Sequence, residues 1–156
     1  MKIRRAKISE SKAISDLMQK DLKLIKSKEY SKKQIKSMQQ YGSYENVKKY
    51  VKNWNVLIAL ENKKIVGTAT HEKKLIFSIY TAKSDNFIGS RIGNKLLDFI
   101  EKKAQKSKMK KISVISMPTT RYFFEKRGYK VSERLLLKGP DGVNFPEFRL
   151  EKTLKC

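Results

Sequence analysis

The residues best suited to grip an anion lie in Asn86-Phe-Ile-Gly-Ser-Arg-Ile-Gly-Asn-Lys-Leu-Leu97. Gly89 and Gly93 let the main chain turn and let its N–H groups face a ligand without Cβ interference. The N–H groups that open a helix have no partner within it, and the helix dipole favours negative charge there. Ile88, Gly89, Ser90, Arg91, Ile92, Gly93 and Asn94 are therefore candidates to hold a diphosphate. By itself the segment is weak evidence, because a glycine before a helix is more often just a turn. A second segment, Thr120-Arg-Tyr-Phe-Phe-Glu-Lys-Arg-Gly-Tyr129, is an aromatic-rich helix ending in glycine, which core packing alone would explain. For proton transfer the chain offers His71, its only histidine, with Glu72 beside it. Imidazole has the right intrinsic pKa for a base, although a lone histidine beside a turn is equally a surface residue. No carboxylate occurs within Leu75–Thr81.

Patterning predicts the elements that must carry these residues. Ile3–Ile8 reads as a short strand, and Ser9 or Ser11 can cap a helix whose apolar face is Ile14, Leu17, Met18, Leu22 and Ile25. Ser31-Lys-Lys-Gln34 has the form of a capping box, and Ser43 can cap a further short helix bearing Val47, Tyr50, Val51 and Trp54 on one side. Val56–Leu60, Lys64–Ala69 and Leu75–Tyr80 follow as strands of an antiparallel meander, separated by Glu61-Asn-Lys and His71-Glu-Lys-Lys. A long helix is predicted from about Ser90 to Lys106, with Ile92, Leu96, Leu97, Phe99, Ile100 and Ala104 as its apolar positions. Ile112–Ser116 has the composition of a buried strand, Pro118–Lys126 that of a helix opened by proline, and Gly128 that of its C-cap. Val131–Lys138 and Phe145–Lys152 flank Gly139-Pro-Asp-Gly142 as a terminal hairpin. Together these elements predict a mixed α/β sheet covered by helices on both faces.

The chain has 156 residues, 39% of them apolar, which suits one globular domain. No apolar run approaches the length of a bilayer span, and Met1–Ala6 lacks the long apolar stretch of a secretory leader. The only cysteine is Cys156, which excludes an intrachain disulfide and a cysteine metal cluster. No metal site is expected, and the expected location is cytoplasmic. The charge is extreme, with 37 Lys and Arg against 15 Asp and Glu, a formal +22. Such a surface attracts polyanions, nucleic acid among them, with an effect that salt weakens. Lysine predominates and is spread along the chain, and no nucleic-acid-binding motif accompanies it, so solvated lysine faces explain the charge equally well.

In this order and spacing the segments resemble the GNAT superfamily of N-acetyltransferases. Ile88-Gly-Ser-Arg-Ile-Gly93, followed by Asn-Lys-Leu-Leu97, falls on the family's Gln/Arg-x-x-Gly-x-Gly/Ala acyl-CoA loop. Thr120–Tyr129 falls on its Ala-x-x-Phe-Tyr-Glu-Lys-x-Gly-Phe segment. Lys64-Ile-Val-Gly-Thr-Ala69 and Ile76-Phe-Ser-Ile-Tyr-Thr81 match the strands before the loop, and Phe145–Lys152 the closing strand. The resemblance implies a mostly antiparallel central sheet that splays between its fourth and fifth strands. The cofactor implied is acetyl-CoA, its pantetheine arm paired with main-chain groups at Ile79, Tyr80 and Thr81 and its pyrophosphate held across Ile88–Asn94. Phe123, Phe124 and Lys126 would border it. The acceptor implied is a primary amine of a small molecule or peptide, which attacks the thioester directly. That chemistry needs positioning, an oxyanion donor and removal of the amine proton. A homodimer is compatible with the resemblance.

The sequence departs from the family pattern at several positions. Ile88 replaces the loop's Gln/Arg, Arg91 replaces its first paired glycine, and Met117 stands where relatives often carry Ser or Asn. Phe124 occupies the position of a tyrosine that protonates the leaving thiolate in many relatives, and phenylalanine has no proton to give. Two rival readings accompany the enzyme. One is a CoA-binding module with little catalysis, and the other a basic nucleic-acid- or ribosome-associated protein. The positive charge favours an acidic peptide or anionic small molecule over a polyamine as acceptor.

Overall fold

The computed structural model describes residues 1–24, 30–82, 91–139 and 141–155. One seven-stranded sheet organises them, in the order β1-β2-β3-β4-β5-β7-β6. Its strands are β1 (Lys2–Arg5), β2 (Asn55–Glu61), β3 (Lys64–Glu72), β4 (Leu75–Thr81), β5 (Lys111–Ser116), β6 (Lys130–Lys138) and β7 (Asn144–Thr153). Neighbours are antiparallel except β4 and β5, which are parallel and pair only at Leu75 with Ser113 and Ile76 with Val114. The helices are α1 (Ser11–Lys23), α2 (Lys32–Tyr41), α3 (Tyr44–Asn53), α4 (Arg91–Lys106) and α5 (Arg121–Lys126). Among the described residues no helix is long and apolar enough to cross a membrane.

Side-chain alternation along a strand explains why the sheet needs helices on both faces. In β2, Leu57 and Ala59 pack with Leu96, Leu97, Ile100 and Ala104 of α4. Val56 and Ile58, one residue out of phase, pack with Ile14 and Met18 of α1 and Val47 and Val51 of α3. A strand buried on both faces reads as a continuous apolar run, as Val56–Leu60 does. Gly67 in β3 lies under the first turn of α4, where a Cβ would stand 2.5 Å from Ile92 Cγ2. The helix thus seats on the sheet at a position where any Cβ would force Ile92 or the helix to shift.

The predicted caps have mixed outcomes. Ser31 Oγ accepts from the Gln34 N–H at 3.1 Å, and Gln34 Oε1 accepts from the Ser31 N–H at 2.8 Å, a complete capping box for α2. Ser43 Oγ accepts from the Asn46 N–H at 3.3 Å and caps α3. Neither Ser9 nor Ser11 caps α1, because a 3-10 turn at Ile8–Glu10 precedes it and Ser11 is already helical and buried. Glu10 makes that turn, accepting from the Lys7 N–H at 2.8 Å and pairing with Arg4 at 2.6 Å, which also ends β1 before Ile8. Gly128, at φ +90°, follows α5 as expected, and Gly142, at φ +82°, closes the β6–β7 turn by donating to the Gly139 carbonyl at 2.9 Å. Helix-1 position Ile25 lies outside the described residues.

The main shift is between β3 and β4. His71 and Glu72, expected in the connecting turn, belong to β3, and the turn itself is Lys73-Lys74, with Lys73 at φ +48°. Pairing passes from Thr70 with Ser78 to His71 with Ile76, so Phe77 is an extra residue, a β-bulge in β4.

Candidate active site

The bulge sits where β4 leaves β5. Ladder pairing between these parallel strands stops at Ile76 among the described residues. A bulge bends its strand and sharpens the twist, which supplies a physical reason for the separation. The opening leads into a cavity of about 420 Å³, roofed by α1, α2 and α3 and floored by β4, β5 and β7. That volume lies within the ~300–1,000 Å³ range of small-molecule sites.

Aromatic side chains form much of the wall. Tyr50 stacks on Trp54 at 5.2 Å between ring centres, and Trp54 stacks on Phe77 at 4.7 Å. Tyr41 meets Phe145 edge-on at 6.1 Å. The α2 side of the roof is fastened to the β6–β7 hairpin. Gln34 Nε2 donates to the Asn144 carbonyl at 3.1 Å, Tyr41 Oη to the Lys138 carbonyl at 3.1 Å, and Ser37 Oγ to Asp141 Oδ1 at 2.5 Å.

Of the predicted residues, Ile79, Tyr80 and Phe124 border this cavity. Phe124 is buried, packed edge-on to Phe123 at 5.1 Å and to Tyr129 at 5.7 Å. Burial pushes the phenol pKa of Tyr80 well above its usual value and that of Tyr50 up to about 12, so both rings stay neutral. Thr81 is buried at the end of β4. Lys126 lies on the surface, its Nζ 4.9 Å from the centre of the Tyr122 ring. Ile88, Gly89 and Ser90 lie outside the described residues.

The described start of α4 holds Arg91, Ile92, Gly93 and Asn94. Arg91 pairs with Glu61 at the end of β2, Ile92 packs over Gly67, and Gly93 is buried. Asn94 Oδ1 accepts from Arg127 at 3.1 Å. Arg127 continues to Asp98 at 2.5 Å and Glu101 at 3.4 Å, while Glu101 also accepts from Tyr129 Oη at 2.9 Å and pairs with Lys152 at 3.1 Å. This network ties α4 to the end of α5 and to β7, fixing the helix start relative to the opening.

His71 is not brought to the cavity. It shares the α4 face with its register partner Ile76, is 4% exposed, and Thr70 is the β3 residue that lines the cavity. Burial, with a contribution from Lys103, holds its pKa below the usual value and keeps the imidazole neutral. Glu72 ends β3 opposite Leu75, and it too is absent from the cavity wall.

The cavity contains instead a carboxyl that sequence reading passed over. Glu147 of β7 is 6% exposed, and its Oε2 has no hydrogen-bond partner among the described residues. Burial pushes its pKa up to about 8. The signal was present in the alternation of Phe145-Pro-Glu-Phe-Arg, which puts Phe145 and Glu147 on one face of the closing strand. That this face is enclosed was not visible without α1–α3 in place.

The acetyltransferase (GNAT) domain model matches residues 26–151, and the chain belongs to that family. Comparison with curated proteins gives no significant match. Among solved structures, a GCN5-related N-acetyltransferase from Rhodopseudomonas palustris aligns at 19% identity and TM-score 0.88, over 98% of this chain and 95% of that one. The PaiA N-acetyltransferase from Thermoplasma acidophilum, solved with coenzyme A, aligns at 18% identity and TM-score 0.75, over 97% and 98%. The putative acetyltransferase yncA from Salmonella typhimurium, solved with acetyl-CoA, aligns at 15% identity and TM-score 0.68, over 100% and 95%. At these identities the structures establish a shared fold, the mixed, mostly antiparallel sheet that opens between β4 and β5.

Proposed function

We propose that the chain is an acetyl-CoA-dependent N-acetyltransferase acting on a primary amine. The observation that carries this reading is the opening between β4 and β5, where the ladder stops at Ile76 among the described residues and a cavity of about 420 Å³ begins. An extended arm with amide groups fits such an opening, because strand main chain pairs with amides in an added-strand geometry. Ile79, Tyr80 and Thr81 would hold that arm, and the start of α4 around Arg91–Asn94, with Ile88–Ser90 before it, the diphosphate. Helix N-termini favour anions, and the seating of Ile92 on Gly67 fixes this one against the sheet. When bound, acetyl-CoA supplies an activated acyl group. The chain's own task is to orient the amine in the cavity, exclude water and hold the nitrogen in a deprotonated form. Phe124 offers no proton, so the departing thiol must be protonated from elsewhere. The single sheet spanning Lys2 to Thr153 supports a reading as one acyltransferase domain.

Calorimetry with acetyl-CoA tests the proposal. Wild type is expected to bind, and Gly89→Leu and Gly93→Leu to lose at least tenfold in affinity. Absence of binding by the wild-type protein overturns it. Binding without turnover across a broad panel of amines would assign the chain a binding role instead.

A further inference from the structure

The protein carries a formal charge of +22, yet among the described residues no lysine or arginine lines its cavity. Among the eighteen described residues that line it, Glu147 alone carries an ionisable acid or base of Asp, Glu, Lys or Arg type. An unpartnered carboxyl oxygen in an apolar enclosure is costly unless it meets a cation or keeps a proton. Resting on the reading above, we propose that Glu147 binds the acceptor's ammonium group and removes its proton, and that the acceptor is a small primary amine bearing an aromatic or bulky apolar group.

The geometry supplies both halves of that recognition. The Tyr50–Trp54–Phe77 stack offers flat apolar surface to a ring, and Met18, Met38 and Met117 offer adaptable surface to irregular shapes. Aromatic faces also attract an ammonium, in addition to the carboxylate. A polyamine or aminoglycoside would bury several charges or hydroxyls against a wall with few polar partners, which such a site disfavours. The cavity's charge thus points away from the anionic acceptor that net charge alone favours. Surface lysines act through solvent, whereas the cavity wall acts at contact.

Among the described residues, the groups that face Glu147 do not compete for this role. Tyr41 of α2 and Tyr80 of β4 feel its charge, and both phenols are pushed above their usual pKa, burial being the larger cause. Tyr50 of α3 is likewise neutral, and Asp21 of α1 acts on Tyr80. Arg149, two residues along the same face of β7, lies 3.9 Å from Glu151 and is absent from the cavity wall. On the β6 side the register partner is Leu135. The proton balance is simple: R–NH3⁺ and the Glu147 carboxylate become R–NH2 and the carboxylic acid. Transfer then replaces one nitrogen proton by the acyl group, that proton leaving on the thiol, and Glu147 returns its own to water. A carboxyl whose pKa is about 8 is matched to accept a proton near neutral pH.

Trp54 is the only tryptophan and stands in the wall, so its fluorescence reports on occupancy without any cofactor. The experiment titrates 2-phenylethylamine, 2-phenylethanol and 3-phenylpropionate into the full chain at pH 8. Wild type, Glu147→Gln and Glu147→Leu are compared, with circular dichroism melts to verify folding. Wild type is expected to prefer the amine over the alcohol by at least tenfold, and both variants to lose that preference. At pH 7 amine binding should release protons, read from calorimetry in two buffers, because the resting carboxyl holds its proton there. With acetyl-CoA present, Glu147→Gln should lose roughly 10²–10⁴ in kcat/KM. Its pH profile should lose the ascending limb near 8 and rise only with the amine's own ionisation. Equal binding of alcohol or acid by wild type, or an amine preference retained in folded Glu147→Gln, overturns the inference. If a variant does not fold, the wild-type ligand order and proton release still decide. Acetyl-CoA calorimetry separates the two proposals, since its failure removes the transferase reading while the amine measurements stand independently.

Discussion

Gly67→Ala probes how tightly α4, the proposed diphosphate-binding helix, is seated. The added Cβ would lie 2.5 Å from Ile92 Cγ2, 3.1 Å from Leu96 Cδ1 and 3.4 Å from the Tyr80 carbonyl oxygen. Carbon atoms pack at about 3.5–4.0 Å, so Ile92 must retreat by about 1 Å or more. It cannot do so by rotating, because a β-branched side chain in a helix is confined largely to one χ1 rotamer. The first turn of α4 must therefore move away from the sheet. Overpacking of this kind costs about 1–3 kcal/mol, offset by about 0.4–1 kcal/mol from the stiffer unfolded chain, for a net loss of about 0.5–2 kcal/mol. The effect on ligand binding should be larger in proportion, since a shift of about 1 Å in a positioning element can cost ~10²-fold. Urea denaturation measures the first quantity and acetyl-CoA calorimetry the second. Adding Ile92→Ala removes the clashing methyl and should show a favourable coupling of about 1 kcal/mol or more in a double-mutant cycle. If Gly67→Ala leaves stability and acetyl-CoA affinity unchanged, the idea that this close approach fixes the helix start is wrong.

Three further outcomes follow from the same geometry. Glu101→Ala strips the shared acceptor from Arg127, Tyr129 and Lys152 and should cost about 1–3 kcal/mol in denaturant titration, well beyond an exposed ion pair. The folded Glu147 carboxyl holds its proton up to about pH 8, against an ordinary value of 4.5. The folded state thus binds more protons between those values, so stability should fall as pH rises through that window, by on the order of 5 kcal/mol, and level off above it. Glu147→Gln should flatten this slope in melts taken from pH 5 to 9, and an unchanged slope would contradict the burial argument. Ser31→Ala opens the α2 capping box and should cost about 1 kcal/mol, measured by thermal or chemical unfolding.

Local chemistry made much of the fold legible. The Ser31–Gln34 box, the Ser43 cap, the Gly128 stop and the Gly139–Gly142 turn depend on residues a few positions apart, and these interactions form wherever the chain places them. Period-two and period-3.6 patterning likewise marked the strands and α4, because burial on a strand or helix face is written into spacing. The ordered motifs from Lys64 to Tyr129 carried the family, and with it the loop at Ile88–Asn94 as the expected phosphate grip.

What spacing could not supply was the register of β3 on β4. One extra residue at Phe77 shifts the face alternation of β4, so that Ile76 and Ile79 both join the core under α4 while Phe77 and Ser78 line the cavity. In β3, which runs on through His71, plain alternation from Ala69 puts His71 on the α4 face and Thr70 on the cavity side. The same long-range closure enclosed Glu147, about a hundred residues from the α2 and α3 aromatics around it. A carboxylate on a terminal strand is ordinary until helices from the other end of the chain remove its water. Burial, and with it the charge of the cavity, is a property of the assembled layers, and only the tertiary structure decided it.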